Sequence, residues 1–300
     1  MMYNSSIVSF YTPEVFPFAT ASTEQQYTRY VFKGEKHALQ SRCIVTALVR
    51  DVADRLPEIK KKAERVGALF ADYRILIVEN DSSDGTRKLL LEWSRENPKV
   101  SVLGCGINVE ECSLPKMPKT DGHQVDRGRI EKMVTLRNIY LDHIKTEYPD
   151  FDYVVMWDLD MIGNVYLDGI QNTLGWLAER PEIDVVCAYG IYRWGLFTLF
   201  YDTYALLHLG EKFHIDLKTI HDIRKGIWEA KYSRGDPLVP VDSCFSGFAV
   251  YRVSGLLGDG VIYDMSGEDN LECEHVRLNV KIKGRKVINP SMINLVLLND

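Results

Sequence analysis

Two consecutive pairs of a strand and a helix constrain the fold of this chain more than any other feature. Cys43–Val49 is rich in β-branched residues, and Ala53–Phe70 repeats apolar residues at helical spacing. Arg74–Val78 indicates a second buried strand, and Thr86–Glu96 indicates a second amphipathic helix. Alternation of this kind favours an α/β fold with a mostly parallel sheet flanked by helices. Ligands of such sheets bind at the carboxyl ends of the strands.

The following segments continue this pattern after a long interruption. Val100–Leu103 indicates a third strand, and helical spacing indicates a helix over about Arg129–Lys145. Between them, Gly104–Gly128 is rich in glycine, proline and charge, which predicts a long loop. Residues 1–42 are polar and aromatic without clear periodicity, and we predict a surface segment there.

Two acids separated by one residue follow the strongly apolar run Tyr153–Trp157. Asp158 and Asp160 should point the same way, because side chains alternate between the faces of a strand. Two carboxylates placed like this can share one divalent cation. Acids after a strand also solvate loops or cap helices, so the pair by itself leaves both interpretations open.

The turn after the second predicted strand carries further acids. Ser82–Thr86 is explained by helix capping and a sharp turn at a glycine. Glu79 and Asp81 are not explained in this way. Carboxylates at the end of a strand can accept hydrogen bonds from a nucleobase N–H or a ribose hydroxyl, and we expect them to face a nucleoside.

Arg137 lies on the apolar stripe of the third predicted helix. The apolar members of that stripe are Ile130, Val134, Leu141 and Ile144. A buried guanidinium needs an anionic partner. A carboxylate within the protein is the favoured partner, and a diphosphate held near the metal is the alternative.

The composition excludes several classes of protein. The formal net charge of −6 argues against a nucleic-acid-binding protein, which usually carries a basic excess. The six cysteines show no zinc-type spacing, and we expect reduced thiols. The N-terminal residues lack the pattern of a signal peptide, and no apolar stretch is long enough to span a bilayer. These features predict a soluble, cytoplasmic protein.

An aromatic tract lies in the second half of the chain. Its members recur at spacings of three and four, which predicts one face of a helix. They are Trp194, Phe197, Tyr201, Tyr204 and His208. Such a stripe is usually core, but aromatic rings also stack on sugars. Asp202 and Arg193 interrupt the stripe, so a groove for an acceptor sugar is the second interpretation.

Three of these motifs together resemble the nucleotide-sugar-dependent glycosyltransferases of the GT-A fold. The resemblance is nearest to family 2 and its relatives in eukaryotic and large-virus capsule and glycan synthesis. Val78–Thr86 is similar to the acid-rich turn of that family, Leu136–Asn138 to its Ala-Arg-Asn helix motif, and Asp158–Asp160 to its DxD motif. The order and spacing agree over roughly residues 43–162. The chain departs from the family at Asp81, where a glycine is common, and at Leu136, where the family has alanine.

The resemblance implies a Rossmann-like GT-A domain. Its nucleotide-sugar-binding half would span residues 43–165, and its acceptor and catalytic half would span 166–300 as a C-terminal extension on the acceptor side. Asp160, with Asp158 directly or through water, would hold Mn²⁺ or Mg²⁺ on the diphosphate of the donor. Glu79 would recognise the base. Ala47 and Arg50, where the first strand meets its loop, would line the nucleoside pocket, although Arg50 is explained equally well as a surface residue.

The second half supplies the remaining candidates by the same resemblance. Gly247 lies in a small-residue segment that would let the donor sugar approach the backbone, although a plain turn explains it equally well. Glu268 and Asp269 match an acidic pair that removes the proton of the acceptor hydroxyl, although acids are also favoured at a helix N-terminus. His275 would complete the metal shell, against the alternative of a packed histidine. If Glu274 and His275 are the working pair instead, the earlier acids cap the helix.

The function expected from these residues is metal-dependent glycosyl transfer. A hexose, pentose or deoxyhexose would move from a nucleoside diphosphate to a carbohydrate hydroxyl, so the partners are a sugar nucleotide and a carbohydrate acceptor. A sugar nucleotidyltransferase is one alternative, but it should carry a Gly-rich basic loop after the first strand, and Thr46–Asp54 is not such a loop. The other alternative is a non-catalytic carbohydrate-binding protein on a transferase scaffold.

Overall fold

The apolar strands predicted from the sequence join one eleven-stranded sheet in the computed structural model, which describes residues 16, 18–104, 127–161, 163–194, 197–212, 232–267 and 271–296. The strands are β1 (Arg42–Val49), β2 (Asp72–Glu79), β3 (Val100–Gly104), β4 (Tyr153–Trp157), β5 (Gly163–Val165), β6 (Ile183–Trp194), β7 (Phe197–Phe200), β8 (Leu207–His208), β9 (Val239–Ser243), β10 (Phe248–Arg252) and β11 (Arg285–Val296). The helices are α1 (Ala21–Ala38), α2 (Leu56–Gly67), α3 (Thr86–Glu96), α4 (Arg127–Glu147), α5 (Leu167–Glu179), α6 (Val253–Leu256) and α7 (Glu274–Asn279).

The centre of the sheet is mostly parallel, as the sequence predicted. Its strand order is β3-β2-β1-β4-β10-β6-β11-β9-β8, with β5 beside β11 and β7 beside β6. From β3 to β11, six of the seven strands run in one direction, and β10 is antiparallel to both of its neighbours. The α/β fold class is therefore confirmed.

The register of the strands builds one edge of the sheet from several chain segments. Val49 at the end of β1 pairs with Glu79 at the end of β2. Phe248 at the start of β10 pairs with Trp157 at the end of β4, because β10 is reversed. The turn that precedes β10 therefore lies beside the residues that follow β4.

Helices cover both faces of the sheet. One apolar cluster joins the sheet to α2, α3 and α5, with Trp93 among its fully buried members. The other joins the sheet to α4, α6 and α7, with Tyr140 among its fully buried members. Burial of a large apolar side chain contributes about 1.5–3 kcal/mol, so each layer is held mainly by these two clusters.

The elements predicted before residue 158 are confirmed, with ends that differ by a few residues. The helix predicted over Thr86–Glu96 has those bounds. The apolar pattern explains this agreement, because the strands are buried runs within the sheet and the helices each bury one apolar face against it. The loop predicted over Gly104–Gly128 lies mostly outside the described residues.

Helix α1 was not predicted from the sequence. Thr20 and Thr23 form a capping box at its start, and α1 packs along α5. Gly34 makes this approach possible, because a Cβ there would lie 1.6 Å from the backbone oxygen of Gln171. The inward face carries tyrosine, glycine and alanine among its buried residues, which gives a weak apolar signal.

The helix predicted through the aromatic tract is wrong. Trp194 ends β6, and Phe197–Phe200 returns as β7, paired antiparallel with β6. Leu207–His208 forms the short strand β8. Aromatic residues favour strands, and here pairing with β6 decides the conformation over the helical spacing.

The prediction of reduced thiols is wrong for two cysteines. Cys187 in β6 and Cys244 before β10 form a disulfide across 57 residues, with their Cα atoms 5.9 Å apart. Cys43 and Cys273 are free and buried. Only the fold brings the bonded pair within reach, since a disulfide requires close Cα atoms and not a particular spacing in sequence.

Among the described residues, no helix combines the length and the apolar character that crossing a membrane requires.

Candidate active site

A cavity of about 260 Å³ opens at the edge of the sheet where β4 ends and β10 begins. Its walls come from distant parts of the chain: β1, α4, the segment after β4, the segment after β7, the turn before β10, and α7. The acids and the histidine among its lining residues are Asp158, Asp160, Asp202, Glu274 and His275. The basic lining residues are Arg129 and Arg137.

A larger cavity, of about 670 Å³, lies between α2 and α3. None of the acids described above lines it. Its polar side chains belong to helix surfaces, and Lys60 pairs with Glu96 across it at 2.8 Å. The smaller cavity, where buried charged groups converge, is therefore the candidate active site.

Asp158 and Asp160 both line the smaller cavity, but they do so from the turn after β4, which ends at Trp157, and not through strand alternation. Leu159 between them is 3 % exposed and packs into the opposite apolar cluster. The backbone N–H of Asp158 donates to the carbonyl oxygen of Gly247 at 2.9 Å. The turn before β10 thus fixes the backbone that carries the first acid.

The surroundings of Asp158 and Asp160 raise the pKa values of both side chains. Burial raises the pKa of Asp158, and the charges of Asp160, Asp202 and Glu274 raise it further, while Arg137 acts in the opposite sense. Burial also raises the pKa of Asp160. Carboxylates crowded in this way gain stability in the charged form when a cation is bound among them.

Arg137 in α4 is buried beneath this cluster of acids, with 5 % of its side chain exposed. Its Nε donates to Glu274 at 2.9 Å, and its Nη2 lies 3.4 Å from Asp158. Its Nη1 donates to the hydroxyl of Tyr140 at 3.3 Å. The carboxylate partner that the sequence favoured is therefore present, and contact of Arg137 with a diphosphate stays a prediction.

His275 in α7 is 2 % exposed and lines the cavity. Its ring stacks on Phe245 with the centroids 3.7 Å apart. Neither ring nitrogen has a hydrogen-bond partner among the residues that the structure describes. Burial, with the charge of Arg137, lowers the pKa of His275 well below its ordinary value, so the imidazole is neutral. A neutral imidazole with a free nitrogen is suited to bind a metal.

Glu79 and Asp81 end β2 but both have partners within the protein. Glu79 accepts from the Nε of Arg87 and, at 2.9 Å, from the backbone N–H of Ser82. Asp81 pairs with Lys132 of α4 at 2.5 Å. Both carboxylates thus hold the turn after β2 in place. Their contact with a nucleoside stays a prediction.

The two residues predicted at the end of β1 lie in different surroundings. Ala47 is 1 % exposed and packs into the apolar cluster beneath α2 and α3, while the next residue, Leu48, lines the cavity. Arg50 lies after the strand with its Nε 3.6 Å from Asp51. Leu48 lines the cavity, and Ala47 and Arg50 do not. Contact of Ala47 and Arg50 with a nucleoside stays a prediction.

Gly247 has a φ of 71°, a conformation that favours glycine. A Cβ there would lie 2.9 Å from Nδ2 of Asn294 and 3.1 Å from the sulfur of Met161. The glycine is therefore needed for the close packing of its own turn. Approach of a donor sugar to this backbone stays a prediction.

Asp202 was not among the predicted site residues. It follows β7, lines the cavity, and has a φ of 74°. Its carboxylate accepts from the backbone N–H of Ser246 at 2.9 Å and of Ala205 at 3.3 Å. Burial raises the pKa of Asp202 to about 6. The one signal in the sequence was its interruption of the aromatic tract.

Glu268 and Asp269, the predicted acidic pair, lie outside the described residues. The helix predicted near them begins at Glu274, so Glu274 and His275 occupy its first turn and both line the cavity.

The sequence of residues 45–277 matches the protein family described as Cryptococcal mannosyltransferase 1. Among solved structures, the chain is similar to the mannosyltransferase PcManGT from Pyrobaculum calidifontis in complex with GDP-Man and Mn²⁺, at 13 % identity and a TM-score of 0.49, over 93 % of this chain and 67 % of that one. It is also similar to a fragment of TarS from S. aureus in complex with UDP-GlcNAc, at 11 % identity and a TM-score of 0.48, over 86 % of this chain and 59 % of that one. No curated protein matches the chain significantly.

Both structural likenesses score below 0.5, so the assignment to a family rests on the sequence match. That match covers more than half of the chain and includes Arg137, both acids after β4, Asp202 and His275. The chain belongs to the Cryptococcal mannosyltransferase 1 family and is a glycosyltransferase.

Proposed function

We propose that this chain transfers mannose from a nucleoside-diphosphate mannose to a carbohydrate hydroxyl in a metal-dependent reaction. The family match supports the sugar. The observation that carries the proposal is the convergence of Asp158, Asp160 and the unpartnered His275 on one cavity at the edge of the sheet. In α/β sheets of this kind, ligands bind outside the carboxyl ends of the strands.

The residues present fit a divalent cation. Within the described residues, no group of three or more His, Cys, Asp or Glu side chains is arranged to hold a metal. Two carboxylates suffice for Mg²⁺ or Mn²⁺ when diphosphate oxygens and water complete the shell. Asp158 and Asp160 would hold the cation, and ligation by His275 stays a prediction. When bound, it supplies charge stabilisation to the departing nucleoside diphosphate.

The protein groups around these acids set their positions. Arg137 holds Glu274 through its Nε and approaches Asp158 through its Nη2. The carbonyl oxygen of Gly247 accepts the N–H of Asp158. These contacts position the Glu274 carboxylate and the Asp158 residue before the donor arrives, which lowers the cost of binding it.

The group that removes the proton of the acceptor hydroxyl stays a prediction. Glu268 or Asp269 fills this role by resemblance to family 2 transferases. Glu274 is the second candidate, because it lines the cavity, but its ion pair with Arg137 keeps it occupied. A base is required only if the reaction inverts the anomeric carbon.

The location of the chain in the cell also stays a prediction. The sequence favoured the cytoplasm. The disulfide between Cys187 and Cys244 supports an oxidising compartment instead, because cytosolic thiols are kept reduced.

The test is donor hydrolysis with a panel of sugar nucleotides that includes GDP-mannose, in the presence of Mn²⁺. We expect slow release of nucleoside diphosphate from one member, and no release with EDTA. Asp160→Ala should lower the rate by at least about 100-fold, because it removes a ligand of the cation. Asp259→Asn is the matched control, since Asp259 is exposed and lies outside the cavity lining.

The outcomes separate the three functions. Nucleoside diphosphate release that depends on Asp160 supports the transferase. Formation of nucleoside triphosphate from pyrophosphate would support a nucleotidyltransferase. Tight sugar binding without turnover would support a carbohydrate-binding protein. Full activity of Asp160→Ala, or full activity in EDTA, contradicts the metal-dependent mechanism.

A further inference from the structure

We propose that Asp202 accepts a hydrogen bond from a hydroxyl of the transferred sugar and so determines which sugar nucleotide this chain binds. The proposal rests on the proposed function and adds a residue that the sequence motifs do not contain. It places the sugar at the wall formed by Tyr201, Asp202 and Tyr204, which we call the tyrosine wall.

The tyrosine wall is joined to the acids after β4 through one turn. Ser246 donates its backbone N–H to Asp202 at 2.9 Å, and the next residue, Gly247, accepts the N–H of Asp158 at 2.9 Å. Adjacent residues of a single turn therefore contact both acids. A diphosphate held at Asp158 and Asp160 would carry its sugar only a few ångströms away, so the tyrosine wall lies within reach of the sugar.

Hydrogen bonds hold the backbone of the tyrosine wall in place. The N–H of Tyr201 donates to Gly190 at 2.9 Å, and the Oγ of Ser246 donates to the carbonyl oxygen of Tyr201 at 3.4 Å. Asp202 and Ser246 both have positive φ, at 74° and 59°. Non-glycine residues in this conformation cost free energy and persist where the surroundings fix them, which often marks a functional site.

The chemistry of the tyrosine wall suits a carbohydrate. An ionised carboxylate has about four acceptor positions, and the two backbone N–H groups use two of them, so Asp202 can still accept from a hydroxyl. The flanking tyrosines offer aromatic faces, which pack against the C–H groups of sugar rings. The cavity, at about 260 Å³, has room for a monosaccharide.

The buried ring of His275 is a second observation, independent of the acids, that indicates a ligand in this cavity. His275 is 2 % exposed and lines the same cavity, and within the described part of the chain neither of its ring nitrogens has a hydrogen-bond partner. Buried polar atoms are nearly always paired, so this cavity is built to be completed by a bound molecule.

The experiment compares the binding of GDP-mannose and of GDP, each with Mn²⁺, by isothermal titration calorimetry. Asp202→Asn removes the charge but keeps a residue that tolerates positive φ. We expect it to weaken GDP-mannose by about 10- to 100-fold, as for the loss of a hydrogen bond to a charged group, and to change GDP affinity by less than about 3-fold. In donor hydrolysis, the KM for GDP-mannose should rise accordingly.

Two further variants control for misfolding and for the general effect of removing a carboxylate. Asp202→Gly also fits the backbone, and its thermal melt shows whether the turn still folds without the carboxylate. Asp242→Asn is the matched control, because Asp242 accepts a backbone N–H from Gly210 at 2.7 Å but does not line the cavity. It should bind GDP-mannose as the unaltered protein does.

The possible results are distinct. Equal losses for GDP and GDP-mannose in Asp202→Asn would overturn the assignment, because Asp202 would then only shape the site. Unchanged binding of both would overturn it as well. If the unaltered protein binds neither compound while remaining folded, the proposed mannosyl transfer fails, and the assignment of Asp202 fails with it.

Discussion

At the scale of single residues, the candidate site depends on one buried arginine, Arg137, that is paired with two of its acids. Arg137 contacts Glu274 and Asp158 at once, and its side chain is 5 % exposed. Breaking a buried pair by removing one partner typically costs about 3–5 kcal/mol, because the other charge is left uncompensated. The arginine therefore supports the fold as well as the site, and a loss of activity on its removal would not distinguish the two roles. This is why Asp202, which is held by backbone N–H groups, is the better position for a functional test.

Glu179, at the end of α5, provides a prediction for stability at low pH. It accepts from Lys33 at 2.6 Å and from Tyr30 at 2.8 Å. These hydrogen bonds lower the pKa of Glu179 from 4.5 to about 2. Since the folded-state pKa is the lower one, the stabilisation is complete above about pH 4.5 and is lost as the pH falls through about 2.

Glu179→Gln should therefore reduce the free energy of unfolding by about 1 kcal/mol at pH 7, after allowance for solvent screening of this partly exposed group. Urea unfolding between pH 6 and about pH 3 should show a shallower loss of stability in the variant than in the unaltered protein. The control is Glu58→Gln on α2, which removes an exposed carboxylate that is paired with Lys62 one turn along that helix. Parallel pH profiles for Glu179→Gln and the unaltered protein would contradict the prediction.

At the scale of elements, the packing of α1 on α5 depends on two glycines. A Cβ on Gly34 would lie 1.6 Å from the backbone oxygen of Gln171, and a Cβ on Gly175 would lie 2.1 Å from that of Tyr30. Backbone atoms cannot turn away as a side chain can, so the two helices would have to separate. The small residues thus set the distance between these helices.

Gly34→Ala should lower the free energy of unfolding by about 2–3 kcal/mol, despite the higher helix propensity of alanine, because overpacking outweighs that gain. Chemical denaturation measures the change. Gly267→Ala is the matched control, since a Cβ there has nothing within 4 Å. A Gly34→Ala protein as stable as the control would show that α1 can shift without cost.

At the scale of the whole molecule, the disulfide ties the second half of the sheet to the turn at the cavity. Cys244 is bonded to Cys187 in β6, and it is followed directly by Phe245, Ser246 and Gly247. These three residues stack on His275, donate to Asp202 and accept from Asp158, respectively. The bond therefore anchors a turn on which three site residues depend.

Replacement of both Cys187 and Cys244 by alanine should cost about 2–4 kcal/mol of stability, as expected for a closed loop of this length. It should also weaken donor binding, because the turn loses its anchor. Thermal melts and titration of GDP-mannose measure the two effects. Cys43→Ala, which removes a free buried thiol, should leave donor affinity unchanged. Unaltered stability and affinity in the double variant would mean that the bond does not form in solution.

The sequence by itself determined the strands and helices from β1 to β4 and the α/β class, because these strands are apolar, β-branched runs and these helices repeat apolar residues at helical spacing. It also predicted that Asp158 and Asp160 lie together at the end of β4, but the turn after Trp157, and not strand alternation, brings both to the cavity. Only the tertiary structure decided the rest. Cys187 with Cys244, and Asp202 with Ser246, meet through pairings between distant segments, and no local period encodes such contacts. The hairpin of β6 and β7 and the packing of α1 were decided in the same way, by long-range contacts that outweigh local propensity.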